Sequence, residues 1–212
     1  MCEIVKVENV TKYFKQEKVL DDVNMNLETG HIYGIVGKNG AGKTVLFKII
    51  AGFIKPSSGK VTVAGKIIGV DRDFPDSLGL IIETPGFLSQ YNAYQNLLYL
   101  ANINNKISKE DIKEAIRMVG LDPDSNKKVG KFSLGMRQRL GIAQAIMENP
   151  NLIILDEPMN GLDKKGIEDV KELLLKLKGD GKTILMASHY AEDMEICDEV
   201  FQMEDGKLGD MK

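Results

Sequence analysis

The sequence is poor in three features that mark particular classes of protein. Two cysteines, Cys2 and Cys197, in 212 residues are too few for a disulfide framework and favour a reducing, cytoplasmic setting. The amino terminus has no apolar signal core. No run approaches the roughly 18 apolar residues of a membrane helix, because the longest compact runs, 152–155 and 184–187, are only as long as strands. We expect a chain that does not itself span a membrane.

Positive charge is not in excess either. Lys and Arg number 28 and Asp and Glu number 31, so the formal net charge is −3. Domains that bind DNA electrostatically usually carry a basic patch, and nucleic acid is therefore not an expected partner. The hydrophobic content of 43% and charged content of 28% are close to globular averages, which excludes disordered and fibrous classes. The length predicts one domain, or one domain with an insert.

Glycine, in contrast, is abundant, and part of it forms a recognisable loop. The segment GKNGAGKT at 37–44 matches G-x-x-x-x-G-K-[ST] and lies between an apolar strand and a helix, the context that this motif requires. Its backbone N–H groups and the helix terminus form an anion site, where Lys43 bridges the outer phosphates and the Thr44 hydroxyl ligates magnesium. The alternative is a glycine-rich turn without a ligand. The predicted nucleotide-binding residues are Gly37, Lys38, Asn39, Gly40, Ala41, Gly42, Lys43, Thr44 and Val45.

Two adjacent acids complete this pattern. NLIILDEP at 151–158 is an apolar strand that delivers Asp156 and Glu157 at its carboxyl end, where open α/β sheets bind ligands. We expect Asp156 to hold magnesium and Glu157 to polarise the attacking water as a general base or water-orienting group. The alternative for Glu157 is a helix-capping acid before Pro158. The loop and the acids together indicate a nucleoside triphosphatase without specifying which kind.

Strands alternate with helices along the chain, which predicts a mostly parallel α/β sheet. Val23, Met25 and Leu27 alternate with polar residues, as in a half-exposed antiparallel strand of an edge sheet. Ser108 and Asp111 are spaced as a capping box, and the charge-rich end after Glu204 is expected to be frayed. The predicted strands are 31–36, 60–65, 78–82, 151–155, 182–188 and 199–207, and the predicted helices are 93–104, 108–119, 134–148 and 167–178.

The segment KFSLGMRQRLGIAQAI at 131–146 distinguishes between kinds of triphosphatase. Here the chain resembles the ATP-binding-cassette (ABC) family, because FSLGMRQR stands where that family has its signature sequence. NGLD at 160–163 resembles the family's D-loop with Asp163, His189 in SH resembles its switch histidine, and Tyr13 in TKYF resembles its adenine-stacking aromatic. Tyr13 taken alone would more often be a packing residue.

The resemblance implies a site shared between two subunits. In this family the signature residues contact the ATP of the partner, which implies a dimer with a second copy or a homologous ATPase subunit. Ser133 is also expected to be an ordinary helix N-cap. As the switch histidine, His189 would donate to the terminal phosphate. Without the motif, a buried histidine at the end of a strand would be an equally good interpretation. The implied signature residues are Ser133, Leu134, Gly135 and Met136.

The chain departs from the usual family pattern at two places. Leu134 and Met136-Arg137 replace the usual glycine and glycine-glutamine stretch, and Glu83 occupies the position of the Q-loop glutamine. We expect Glu83 to reach the magnesium shell or the attacking water; the alternative is a solvated loop acid. These segments are most similar to subunits of the exporter subgroup for drugs, bacitracin and lantibiotics.

The resemblance implies a P-loop NTPase (RecA-like) α/β fold, with a mostly parallel sheet, an antiparallel β edge subdomain and a helical insert. One domain would cover 1–212, with the β subdomain and P-loop core at 1–83, the insert at 84–132 and the remaining core at 133–212. ATP and Mg²⁺ are the implied cofactors. The implied function is ATP hydrolysis that drives a separate integral-membrane permease from the inner face of the cell membrane. The alternatives are a nucleotide-gated clamp on DNA or ribosomes and a binding module without turnover.

Overall fold

The computed structural model describes residues 2–83 and 86–210. Thr84 and Pro85, the first two residues of the predicted insert, lie outside the described residues, as do Met1, Met211 and Lys212. The strands are β1 (Glu3–Phe14), β2 (Glu17–Glu28), β3 (Ile32–Val36), β4 (Ser58–Val63), β5 (Lys66–Ile67), β6 (Leu78–Ile81), β7 (Leu152–Asp156), β8 (Thr183–Ser188), β9 (Glu199–Glu204) and β10 (Lys207–Asp210). The α-helices are α1 (Lys43–Ile50), α2 (Ala93–Asn104), α3 (Lys109–Met118), α4 (Leu134–Ile146) and α5 (Lys164–Gly179).

An antiparallel sheet in the order β2-β1-β4-β5 forms one side of the molecule. Val23, Met25 and Leu27 are buried while the residues between them are exposed. This confirms the predicted half-exposed strand, because successive side chains of a strand point to opposite faces.

A second sheet, in the order β10-β9-β3-β8-β7-β6, forms the centre of the fold and is parallel except at β10. Every residue of β7 and β8 is buried, as expected for strands covered on both faces. Val36 pairs with Ser188, and Asp156 pairs with Ala187. The carboxyl ends of β3, β7 and β8 therefore meet at one edge, which brings the glycine loop, the paired acids and His189 together.

The helical region follows the sequence expectation closely. Helix α2 has its predicted bounds, and Ser108 and Asp111 form the predicted capping box of α3. Helix α5 begins three residues earlier than predicted, because the Asp163 side chain accepts from Gly166 N at 2.9 Å and caps it. No helix of the described ranges is both long and apolar enough to cross a bilayer.

The expectation of a frayed end after Glu204 was wrong. The segment 207–210 forms β10, which pairs with β9 in a hairpin. Gly206 at its turn accepts from Asp21 N at 2.9 Å and donates to Ala41 O at 3.1 Å. The charged residues therefore belong to a strand that also supports the glycine loop.

Candidate nucleotide-binding and catalytic site

The glycine loop connects β3 to α1 in a conformation that requires glycine. Gly42 immediately precedes the helix with φ of 110°, a conformation that L side chains rarely adopt. A Cβ at Gly37 would lie 2.4 Å from the Met203 carbonyl oxygen, so this position has no space for a side chain. The loop is therefore held closely against the neighbouring hairpin, and its backbone N–H groups precede a helix N-terminus, the arrangement that binds phosphate.

Lys43, the first residue of α1, is buried within the loop. Its Nζ donates to Gly37 O at 2.5 Å and to Lys38 O at 3.2 Å. The same nitrogen is 3.8 Å from Glu157 Oε1. The ammonium group therefore lies between the glycine loop and the second of the paired acids.

Thr44 and Asp156 bring two oxygen ligands together. Thr44 Oγ1 donates to Asp156 Oδ2 at 2.6 Å. Burial raises the pKa of Asp156, while the hydrogen bond from Thr44 lowers it. Hydroxyl and carboxylate oxygens are suitable ligands for Mg²⁺, which usually takes one or two protein ligands and completes its shell with water and phosphate oxygens. These residues therefore fit the predicted magnesium site, and the described residues contain no cluster of three or more acidic, histidine or cysteine side chains that would form a different one.

Glu157 lies beside Asp156 and pairs with the histidine at the end of β8. Its backbone has φ of 52°, and its N–H donates to Ala187 O at 2.9 Å. Glu157 Oε2 is 2.8 Å from His189 Nδ1. The structure thus brings Lys43, Glu157 and His189 together, which the sequence analysis assigned as the catalytic group.

Glu83 lies two residues after β6 and lines the same cleft as the glycine loop. Its Oε1 is 2.5 Å from Lys48 Nζ, and its side chain is 65% exposed. Burial and then charge repulsion from Glu157 raise the pKa of Asp156, and repulsion from Glu83 adds a smaller contribution. Glu83 is thus an exposed loop acid that is paired with Lys48, and its contact with magnesium stays a prediction. Lys48, its partner, was not predicted from the sequence.

The cleft itself has a volume of about 430 Å³. It is lined by Val19, Lys38, Asn39, Gly40, Ala41, Gly42, Lys43, Thr44, Val45, Glu83, Leu134, Gln138, Asp156, Glu157 and Asn160. Gln138 was missed in the sequence analysis. It is buried, and its Nε2 donates to the carbonyl oxygens of Glu157 at 3.1 Å and Pro158 at 3.2 Å. Gln138 lies four residues after Leu134, on the same face of α4, and this spacing could have identified it as a site residue.

The signature segment begins α4 and packs on the D-loop. The Ser133 hydroxyl accepts from Met136 N at 3.1 Å, which confirms the predicted N-cap. A Cβ added to Gly135 would lie 3.0 Å from Gly161 O, and the Leu134 side chain lies against Gly161 itself. Their contact with a partner's nucleotide stays a prediction.

Tyr13 lies on β1 and does not line the cleft. Its ring is 5.7 Å from Lys18 Nζ on the paired strand β2 and is partly exposed. Val19 on that strand does line the cleft. Tyr13 therefore lies near one end of the cleft's wall, and adenine stacking stays a prediction.

The buried strand β3, the glycine loop that holds Lys43 and the two acids at the end of β7 define a P-loop nucleoside triphosphatase. Comparison with known proteins specifies the family. Residues 20–160 match the family model "ABC transporter". The chain is 45% identical over 206 residues to the uncharacterised ABC transporter ATP-binding protein YybJ of Bacillus subtilis, covering 97% of this chain and 94% of that protein. It is 41% identical over 211 residues to the bacitracin transport ATP-binding protein BcrA of Bacillus licheniformis, covering 98% and 69% respectively.

Solved structures agree with this assignment. The chain superposes with a TM-score of 0.88 and 26% identity on the ATP-binding cassette MJ0796, solved as a dimer in a post-hydrolysis state bound to ADP and Pi, over 99% of each chain. This chain belongs to the ABC transporter family as an ATP-binding subunit, and it is an ATPase with the P-loop NTPase fold.

Proposed function

We propose that this subunit hydrolyses ATP to drive a separate integral-membrane permease that exports an antimicrobial peptide, drug or similar compound. The observation that carries the proposal is the group formed by Lys43, Glu157 and His189 beside the Thr44–Asp156 oxygen pair. The similarity to BcrA supports the substrate class. On this proposal the subunit is cytoplasmic and bound peripherally to the inner face of the cell membrane.

Each side chain has a role that follows from its position. Lys43 compensates charge on the outer phosphates, and Thr44 and Asp156 would hold Mg²⁺. When bound, this ion supplies further charge neutralisation at the phosphate oxygens. Glu157 accepts a proton from the attacking water, because its carboxylate faces the cleft and is the nearest acid to Lys43. His189 orients Glu157 through the 2.8 Å contact and donates toward the terminal phosphate.

A second subunit is proposed to complete the site. Ser133 and Leu134 begin helix α4 at an exposed surface. A helix N-terminus with free N–H groups stabilises an anion. The exposed signature segment is thus available to a partner's nucleotide, and the dimer of the cassette MJ0796 supports this arrangement. The partner is a second copy or a homologous ATPase subunit.

An exposed apolar surface provides the proposed contact with the permease. Phe53 and Phe74 are 57% and 54% exposed, and their ring centroids are 5.8 Å apart. They line a groove with Leu80, at the end of β6, and with the exposed Ile103 of α2. Contiguous exposed apolar side chains, unlike single exposed ones, mark protein–protein interaction sites. The groove therefore lies between the core, the strand leading to Glu83 and the helical region, which suits an apolar segment of the permease.

Affinity purification from the membrane fraction tests the proposal. We expect the tagged chain to be recovered with an integral-membrane protein, and Phe53→Asp to lose that protein while still binding ATP. Val70→Asp, at a residue that is 78% exposed and outside the groove, is the matched control and should retain it. Recovery with ribosomes or nucleic acid, and without a membrane protein, would instead support the clamp function.

A further inference from the structure

Lys48 and Glu83 form an ion pair at the edge of the nucleotide cleft. The distance from Lys48 Nζ to Glu83 Oε1 is 2.5 Å. Lys48 lies in the last turn of α1, the helix whose first residues are Lys43 and Thr44. Glu83 belongs to the loop after β6 and lines the cleft. The pair therefore connects that loop to the same helix that carries the lysine and the threonine of the phosphate site.

This ion pair adds little to the stability of the fold. The side chains of Lys48 and Glu83 are 29% and 65% exposed, and exposed ion pairs typically add almost nothing to stability. The backbone of Glu83 also has φ of 62°, in the left-handed region that L side chains rarely adopt. The pair adds little stability although the backbone of Glu83 is strained. Its main effect is therefore to hold the carboxylate of Glu83 in one position.

The position of the Glu83 carboxylate matters because charged side chains line the cleft. Three carboxylates line the cleft, those of Glu83, Asp156 and Glu157, but only two lysines, Lys38 and Lys43. A free carboxylate at position 83 would repel the phosphates of ATP. The glutamine that the family usually has at this position carries no charge. Paired with Lys48, the carboxylate of Glu83 also brings no net charge to the cleft.

We propose that Lys48 is a positioning residue that neutralises Glu83 and fixes its carboxylate against α1, so that the cleft accepts an acid where a neutral side chain would otherwise be needed. This inference rests on the proposed function only in that the cleft binds ATP with Mg²⁺. It concerns nucleotide binding, so its test does not depend on the permease or on the exported compound.

The test measures the dissociation constant of ATP by calorimetry, once in EDTA and once in excess Mg²⁺. The quantity compared among variants is the ratio of the constant in EDTA to the constant in Mg²⁺. Metal-free ATP carries two more negative charges than its magnesium complex, so an added negative charge weakens the metal-free complex more. Lys48→Met should raise the ratio about three- to fivefold, and Glu83→Gln, which leaves Lys48 unpaired, should lower it by a similar factor. The double variant should return to the wild-type ratio, and Lys48→Arg should keep it.

A matched ion pair away from the cleft is the control. Lys171 Nζ lies 2.9 Å from Glu195 Oε2, and Lys171→Met and Glu195→Gln should leave the ratio unchanged. The proposal is overturned if Lys48→Met leaves the ratio unchanged, or if the double variant keeps the raised ratio of Lys48→Met instead of returning to the wild-type value. A purely structural role of Lys48 would lower the melting temperature in both backgrounds without moving the ratio. Absence of ATP binding in the wild type would overturn the proposed function itself.

Discussion

Replacement of Glu157 by glutamine tests the assignment of the general base most directly. The amide has nearly the same size as the carboxylate and can still contact His189, whose Nδ1 is 2.8 Å from Glu157 Oε2. It cannot accept the proton of the attacking water. General-base groups typically contribute about 10²–10⁴-fold to the rate, so we expect turnover to fall by at least about 10²-fold, or about 2.7 kcal/mol in activation free energy.

Binding should respond in the opposite direction. Glu157 Oε1 lies 3.8 Å from Lys43 Nζ. At that separation, with an effective dielectric constant near 20, the attraction is about 4 kcal/mol before desolvation reduces it. The phosphates of ATP compete with Glu157 for this lysine, so removing the negative charge should leave ATP affinity unchanged or stronger. On the proposed function, the ATP-bound dimer should accumulate because ATP is bound and not consumed.

Three measurements on the purified Glu157→Gln variant check this expectation. Steady-state phosphate release gives turnover, calorimetry gives ATP affinity, and gel filtration with ATP gives the dimer fraction. Glu172→Gln, at an exposed acid of α5 outside the nucleotide cleft, is the matched control and should behave as wild type. Turnover within about tenfold of wild type would remove Glu157 from the role of general base, since a proton acceptor contributes more than that.

Further expectations follow from the phosphate site, the shared dimer and the packing of the sheet. Lys43→Ala should weaken ATP binding by roughly 10–100-fold, because it removes the charge-assisted contacts to the phosphates; near-normal affinity in a folded variant would mean that the phosphates bind elsewhere. The wild-type chain should show a specific ATPase rate that rises with protein concentration, since on the proposed function each site needs Ser133 of a second subunit, and a constant specific rate from a proven monomer would contradict the shared site. Gly79→Ala should lower the melting temperature by at least about 2 °C, as overpacking costs about 1–3 kcal/mol, because its Cβ would lie 1.9 Å from Ala145 O; Gly209→Ala, with no atom within 4 Å, is the control, and equal melting temperatures would show that the sheet and α4 separate readily.

Patterns of neighbouring residues were enough to predict the local elements and the order of the chemical groups. The alternation of Val23, Met25 and Leu27 predicted a half-buried strand, and Ser108 with Asp111 predicted a helix start, because both depend on residues only a few positions apart. The glycine loop and the acids at 156 and 157 could be predicted for the same reason. Their spacing along a strand and a turn determines how they lie relative to their neighbours once these elements form.

Contacts between residues far apart in the chain, in contrast, depend on how the strands and helices pack. Strand order places His189 beside Glu157, and the packing of α4 places Gln138 under the carbonyl oxygens of Glu157 and Pro158. The hairpin at 199–210 was missed beyond Glu204, because charged residues in an edge strand have no strong local pattern and its stability comes from pairing with β9. The ion pair between Lys48 and Glu83 joins residues 35 positions apart. Side chains so far apart in sequence come into contact only through the packing of helices against sheets, which local patterns do not encode.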